Sequence, residues 1–414
     1  MRRKSLWSRL LDVEGATIKK VRFDHDEGRL VAEAKPHSRE RGLCGECRQR
    51  CPGYDSGEGK RWWRALDLGI IPAYVEADAP RVLCPEHGVI VAAVPWARHG
   101  ARFTRSFEDQ SAWMATHASR TSVSGLMRVT WRTVGSIITR VAAETAAAVD
   151  RFSGLRRIGI DEISYRKGHR YLTVVVDHDQ GRLLWAKAGH DSATLDQFFE
   201  LLGPKRCARI EMVSADAAGW IRKAVENHCP NAQLCLDPFH VVSWATDALD
   251  EVRREIWNEA RSGGNTDEAK ELKGARFALW KNPRNLTRTQ RKTLASIAET
   301  NGPLYRAYLL KEHLRLVFKL KGKRGKRLLN EWLQWARRCR IPAFVGLAKK
   351  IHREHRTGID NVLDTGLSNA LVESMNCKIR VLTRQAFGFR TPEALVAMAM
   401  LALGGLCPDL PGRS

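Results

Sequence analysis

No stretch of this 414-residue chain approaches the roughly 18–20 consecutive apolar residues that a membrane span requires. The N-terminus, Met1-Arg2-Arg3-Lys4, is basic, but neither the apolar segment nor the small-residue cleavage site of a secretory signal follows it. Internal repeats and long low-complexity tracts are missing too. These absences predict a soluble, cytoplasmic protein. Acid is also in short supply: 46 Asp and Glu face 69 Lys and Arg, a net charge of +23. Such an excess implies a polyanionic partner, nucleic acid first, because Lys and Arg gain affinity by releasing counterions from phosphates. A hydrophobic fraction of 43%, with 13 Trp and 12 Phe, excludes disorder as the main state. At roughly 100–200 residues per domain, the length suggests two to four domains.

The positive charge is unevenly spread. Residues 1–150 carry a net +6 and residues 151–240 only +2, whereas 241–360 carry +14. From Leu272 to Ile359, 23 basic side chains meet four acids. That composition suits a surface that tracks phosphates and positions DNA without reading it. Loop-like breaks are expected at Ser262-Gly263-Gly264-Asn265, at Lys321-Gly322-Lys323-Arg324-Gly325-Lys326-Arg327 and at Asp364-Thr365-Gly366.

Four of the ten cysteines lie in the first 84 residues. Cys44-Gly-Glu-Cys47 is a CxxC, and Cys84-Pro-Glu-His87 is a CxxH. Two such knuckles supply the four donors that tetrahedral zinc needs. The expected structural zinc ligands are Cys44, Cys47, Cys84 and His87, with Cys51 competing for the place of His87. Strand-like segments at 61–68, 73–77 and 79–83 between and around them fit a small zinc-ribbon-like module. No thioredoxin-like βαβ pattern surrounds the CxxC, which argues against a redox role.

From Thr104 to Ala148 the apolar spacing becomes helical. A short helix over Ser122–Met127, a tight turn (Met127-Arg128-Val129-Thr130) and a third helix opening at Trp131-Arg132-Thr133 resemble a helix-turn-helix. In that motif the first residues of the second helix reach base edges in the major groove, so Trp131, Arg132 and Thr133 are candidate DNA contacts.

The segment Arg157–His240 reads as three antiparallel strands and then helix, strand, helix, strand. This is the ribonuclease H-like order: an α/β fold with a mixed five-stranded sheet. The first strand runs into Asp161 and the fourth into Asp216, and these strands are neighbours in that topology. Joining or cutting phosphodiesters needs an activated oxygen nucleophile and a stabilised leaving oxygen. Two Mg²⁺ ions about 3.5–4 Å apart, with Mn²⁺ able to substitute, supply both and are held by carboxylates. Glu373 is the candidate third acid, on a helix capped by Ser368, with Lys378 and Arg380 following as phosphate contacts. Asp237, in Asp237-Pro-Phe-His240, competes with Asp216. His240 is read as orienting DNA or a carboxylate, or as a packed histidine. Glu162 should point to the opposite sheet face from Asp161, and Asp177 and Asp179 read as hairpin residues. Glu373 follows Asp216 by 157 positions, an interval filled by helical patterns and read as an all-helical insertion.

The order of zinc knuckles, helix-turn-helix, Gly159-Ile-Asp161-Glu162, Ser214-Ala-Asp216, Asp237-Pro-Phe-His240, Asn369-Ala-Leu-Val-Glu373 with Arg380, and Ala386-Phe-Gly-Phe-Arg390 resembles the ISL3 family of bacterial insertion-sequence transposases. The resemblance spans nearly the whole chain and departs from the family pattern at His87, where a cysteine is more usual. It implies a DDE transposase with Asp161, Asp216 and Glu373 as its triad, binding terminal inverted repeats of double-stranded DNA and acting as at least a homodimer. The expected domains are a zinc module (1–100), a helix-turn-helix region (101–150), the first part of the catalytic core (151–240), the basic insertion (241–365) and the last part of the core (366–414). Lys323, Arg324, Lys326 and Arg327 are the insertion's candidate DNA contacts. A tyrosine recombinase would need a late nucleophilic tyrosine, and the last of six is Tyr308. A serine recombinase would need its catalytic domain where the zinc pattern sits. A DNA-binding regulator without cleavage activity is the remaining alternative.

Overall fold

The computed structural model describes residues 3–413; Met1 and Arg2 of the basic N-terminus lie outside them. Two compact units emerge, Met1–Asp150 with Arg384–Ser414, and Arg151–Thr383. Among the described residues no helix is long and apolar enough to cross a membrane.

The first unit starts with helix α1 (Arg3–Leu10) and a hairpin of β1 (Ala16–Asp24) and β2 (Arg29–Pro36), followed by β3 (Gly53–Asp55), β4 (Lys60–Arg64), β5 (Ala73–Asp78), β6 (Arg81–Cys84) and β7 (Gly88–Val91). These strands form two sheets, β1-β2-β5-β4 and β3-β6-β7. The strands expected at 61–68 and 73–77 appear as β4 and β5, and they join the β1–β2 hairpin in the first sheet. The reason is burial: Ala73, Val75 and Ala77 face a separate core with Ile18, Ala32, Trp63 and Trp96. Only β6, with β3 and β7, supports the knuckles.

Three helices follow, α2 (Arg105–His117), α3 (Arg120–Met127) and α4 (Trp131–Ala148), each capped by a hydroxyl. Thr104, Ser119 and Thr130 accept the amides of Phe107, Ser122 and Thr133. Arg128, at φ 52°, closes the turn between α3 and α4. The buried side of α4 is Val134, Ile137, Ile138 and Val141, as the spacing predicts.

In the second unit, β8 (Arg157–Arg166), β9 (Arg170–Asp177) and β10 (Arg182–Ala188) pair antiparallel. After α5 (Ser192–Leu202) and α6 (Pro204–Cys207) comes β11 (Met212–Ala215), then α7 (Gly219–His228) and β12 (Gln233–Leu236), and both strands add in parallel. The sheet order is β10-β9-β8-β11-β12, the expected ribonuclease H-like mixed sheet. Ile158, Ile160, Val174, Val175 and Val176 are fully buried, as central strands covered on both faces must be.

The insertion is all helical: α8 (Pro238–Ser262), α9 (Thr266–Gly274), α10 (Arg276–Trp280), α11 (Arg288–Thr300), α12 (Gly302–Val317), α13 (Gly322–Arg338), α14 (Pro342–Lys350), a π-helical turn (Ile351–His355) and α15 (Arg356–Thr365). Its core gathers Leu304, Leu310, Trp332, Phe344 and Ile359. The run Lys321–Arg327, expected as a loop, opens α13. Gly325 is what permits this, because a Cβ there would lie 2.8 Å from the Leu320 carbonyl oxygen and 2.9 Å from Leu363 Cδ2. Its basic residues therefore decorate a helix. Gly358 lets α15 lie on β12, where a Cβ would meet Leu236 Cβ at 3.1 Å, and this contact covers an otherwise open sheet edge.

The chain ends in α16 (Ala370–Gln385) and α17 (Pro392–Leu403), the latter capped by Thr391. Ser368, the expected cap of the Glu373 helix, lies two residues ahead of its first turn. Residues from Arg384 onward pack with the first unit. There α17 buries Leu395, Met398, Ala399, Met400 and Leu401 against α2 and α4.

Candidate active site and metal centre

Parallel pairing sets the acids level with one another. β11 runs beside β8 with Ser214 opposite Gly159, so two steps further along the same register Asp216 falls level with Asp161. Ala215 pairs with Leu236 on β12, so Asp237 falls level with Asp216. Burial pushes the Asp161 carboxyl up to about 6; the Glu162 amide, 2.8 Å from its Oδ1, opposes the rise and the charge of Asp216 adds to it. Asp216 Oδ1 accepts the Ala218 amide at 3.0 Å. Glu162, expected on the opposite face, is half-buried, and its carboxyl is raised by burial and by Asp216. Asp177 is the hairpin residue expected, accepting the amides of Asp179 and Gln180.

Glu373 stands on the exposed side of α16, together with Lys378 and Arg380. Burial and the charge of Asp237 raise its carboxyl, while His240 lowers it. It lines a cleft of about 320 Å³ with Asp237, Phe239, Phe318 and Lys321, so the start of the basic helix α13 borders the same space. Among the described residues no three acids bring their oxygens within 4.8 Å of one another. Asp216 falls level with Asp161, and Glu373 lies beside Asp237 and His240.

The way α16 is held was not anticipated. Asn369 Nδ2 donates to the Ile160 carbonyl at 3.3 Å, and its Oδ1 accepts Ser214 Oγ at 2.6 Å. His178 Nε2 lies 2.8 Å from the same hydroxyl. Two turns on, Asn376 Nδ2 donates to Asp161 Oδ2 at 2.8 Å. Both asparagines are buried, and buried amides need such partners. The close approach depends on Gly159, where a Cβ would fall 2.4 Å from Val372 Cγ2. A signal for this did exist: asparagines seven residues apart, on the same helix face as Val372 and Ile379, flank Glu373.

Asp237 is 3% exposed and its oxygens are committed. It caps α8 by accepting the His240 amide at 3.4 Å, meets His240 Nδ1 at 3.0 Å, and accepts the Asn369 amide at 3.4 Å. The Asp237 bond raises the pKa of His240; burial opposes that, and Asp216 and Asp161 reinforce it.

In the first unit, Cys44, Cys47, Cys84 and His87 bring their ligand atoms within 4.8 Å of one another. Cys47 Sγ is 3.7 Å from Cys84 Sγ, and His87 Nδ1 lies 3.7 Å from Cys44 Sγ and 3.5 Å from Cys84 Sγ. Tetrahedral zinc with bonds near 2.3 Å has ligand–ligand edges of about 3.8 Å, so the donor set fits structural zinc. His87 Nε2 faces Glu46 at 3.3 Å, the outer carboxylate that fixes a ligand ring. Gly45 makes the knuckle possible, since a Cβ would strike His99 Nδ1 at 2.2 Å. Cys51 is buried outside this group, with its thiol directed at the Gln49 carbonyl.

The other expected DNA contacts are surface residues. Trp131 and Arg132 are exposed at the first turn of α4, and Thr133 is half-buried beside its cap. Lys323 and Arg324 are exposed on α13, whereas Lys326 pairs with Asp364 at 2.5 Å and Arg327 with Glu331 at 3.0 Å.

Residues 158–399 match the family model of the ISL3-type DDE transposase, residues 92–142 that of the helix-turn-helix domain of transposase family ISL3, and residues 40–87 that of the zinc-finger of transposase IS204/IS1001/IS1096/IS1165. The transposase for insertion sequence element IS1557, from Mycobacterium tuberculosis strains CDC 1551 / Oshkosh and ATCC 25618 / H37Rv, is 53% identical across 100% of this chain and 98% of its own length. The transposase for insertion sequence element IS1001 of Bordetella parapertussis is 26% identical across 92% of this chain and 93% of its own. With its cysteine–histidine cluster, helix-turn-helix and ribonuclease H-like sheet in that order, the chain belongs to the ISL3 family of insertion-sequence transposases.

Proposed function

We propose that this transposase binds the terminal inverted repeats of its own element and cuts and joins DNA strands at Asp161, Asp216 and Glu373. The observation that carries the reading is the register that sets Asp216 level with Asp161, next to the helix bearing Glu373. Three carboxylates offering hard oxygens suit two Mg²⁺ ions, or Mn²⁺ in their place. Bound divalent cations would supply a polarised phosphate and an activated oxygen nucleophile.

The chain's own residues do the remaining work. Asn376 fixes one oxygen of Asp161 and leaves the acid's orientation set by α16. Lys378 and Arg380 hold phosphate on the exposed side of that helix. Trp131, Arg132 and Thr133 read base edges, while Lys323, Arg324, Lys326 and Arg327 track the backbone. Structural zinc at Cys44, Cys47, Cys84 and His87 holds the knuckles in shape. Joining two ends takes at least two copies on one DNA, so the working form is a homodimer or larger, in the cytoplasm and on the nucleoid when bound.

Purified protein should nick duplexes carrying the element's ends in Mg²⁺, and Asp161→Ala or Glu373→Ala should abolish nicking without loss of binding. Sequence-specific binding with no metal-dependent cleavage by the wild type would instead favour a DNA-binding regulator.

A further inference from the structure

The block Ala386-Phe387-Gly388-Phe389-Arg390 takes no part in the site described above. It forms the turn between α16 and α17, and its two rings have opposite fates. Phe387 is 95% exposed, more than any other large hydrophobic side chain among the described residues. Its backbone is left-handed at φ 52°, followed by Gly388 at φ 95°, a conformation that an L-residue adopts only against a steric penalty. Phe389 turns inward and stacks on the Arg120 guanidinium at 4.6 Å, whose other partner ring is Trp131 at 5.0 Å. Arg120 is 6% exposed, and its Nε and Nη2 have no hydrogen-bond partner. The rings hold it as a cation in a cage. Because Trp131 opens α4, this stack ties the turn that displays Phe387 to the helix that reads DNA.

We propose that Phe387 is a stacking wedge for an unpaired nucleobase of the bound DNA. This rests on the reading of the chain as a DNA-binding transposase. A hydrophobic protein partner would want an apolar rim, but Arg384, Gln385 and Arg390 are the exposed neighbours, and residues 384–392 contain no acid. One ring within a cationic rim matches a base with its phosphates. Any base offers a π face, so such a contact tolerates sequence, and side chains that wedge between base steps are a general device for distorting a duplex.

The test measures binding of the full chain to a fully paired duplex and to the same duplex with one bulged nucleotide, by fluorescence anisotropy. Base–aromatic stacking predicts a preference for the bulged duplex of roughly 5- to 150-fold in the wild type. Phe387→Ala should erase that preference and leave affinity for the paired duplex unchanged; Phe387→Trp should keep it and Phe387→Leu should not. At 95% exposure the ring is not needed for folding. An undiminished preference in Phe387→Ala, or full rescue by leucine, overturns the inference. So does a change in sedimentation mass with DNA preference intact, which would make the ring a protein contact. A wild type that binds both duplexes equally overturns the inference alone, whereas one that binds neither overturns the DNA reading with it.

Discussion

In the cysteine–histidine cluster all four ligand atoms lie within 4.8 Å of one another, whereas among the described residues no three carboxylates come that close, the proposed Asp161, Asp216 and Glu373 included. Donor chemistry accounts for the difference. Thiols and an imidazole can shed charge onto shared protons and pack closely on two short knuckles. Ionised carboxylates repel, by about 4 kcal/mol at 4 Å in a medium of effective dielectric near 20. The fold therefore positions each acid through the backbone that carries it: β8 for Asp161, the end of β11 for Asp216 and α16 for Glu373. Structural metal sites are closed by protein ligands, while a hard catalytic cation keeps positions open for water and substrate. The contrast sets a closed donor set apart from an open one.

The largest expected effect sharpens the acidic half of that contrast. Asp216→Ala should lower nicking of end-sequence DNA by about three orders of magnitude, equivalent to about 4 kcal/mol of barrier, with melting temperature and DNA affinity retained. Asp237→Ala, which removes the cap of α8 and an anchor of Asn369, should mainly lower the melting temperature. The reverse pattern would move the site to Asp237.

Next comes the closed site. Cys44→Ala should lose bound zinc in metal analysis of the purified protein and unfold the segment around residues 40–92, seen as lost amide-exchange protection. His87→Cys should keep the zinc. Full zinc retention in Cys44→Ala would remove this side of the comparison. Asn376→Ala tests whether the acids depend on outer partners as metal ligands do. Turnover should fall about 10- to 100-fold, the usual range for lost outer-shell bonds, with DNA affinity unchanged. The smallest effect is at the surface: Lys323→Glu with Arg324→Glu should weaken binding to any DNA. The slope of log affinity against log salt should shrink by about 1.8 if both contact phosphate.

Legibility varied with how local the cause was. Hydroxyl caps at Thr104, Ser119, Thr130 and Thr391 each act within three residues; the helix capped by Ser119 begins at Arg120, two residues before the Ser122 that the spacing gives, and the one capped by Thr130 begins at Trp131 as expected. The knuckles were equally plain, because each is a four-residue pattern. The basic run at Lys321–Arg327 misled because two glycines read as a break, and only the packing of Gly325 against Leu320 and Leu363 shows why a helix accepts them. Strand character at 61–64 and 73–77 was legible, but their pairing with the β1–β2 hairpin was not, because strand character says nothing about which partner a strand takes. Asn369 and Asn376 were passed over because their acceptors, Ile160 and Asp161, lie more than 200 positions away.

The amino-acid sequence by itself determined the order of the elements, the two metal-ligand knuckles, the helix caps and the concentration of positive charge between Leu272 and Ile359. Tertiary structure alone decided that the Glu373 helix is keyed into the sheet by two asparagines, and that Phe387 is displayed while Phe389 is half-buried against Arg120. The physical reason is range. Caps and knuckles are hydrogen bonds and ligand spacings within a few residues. Parallel register and close helix–sheet approach depend on partners brought together only when the core closes.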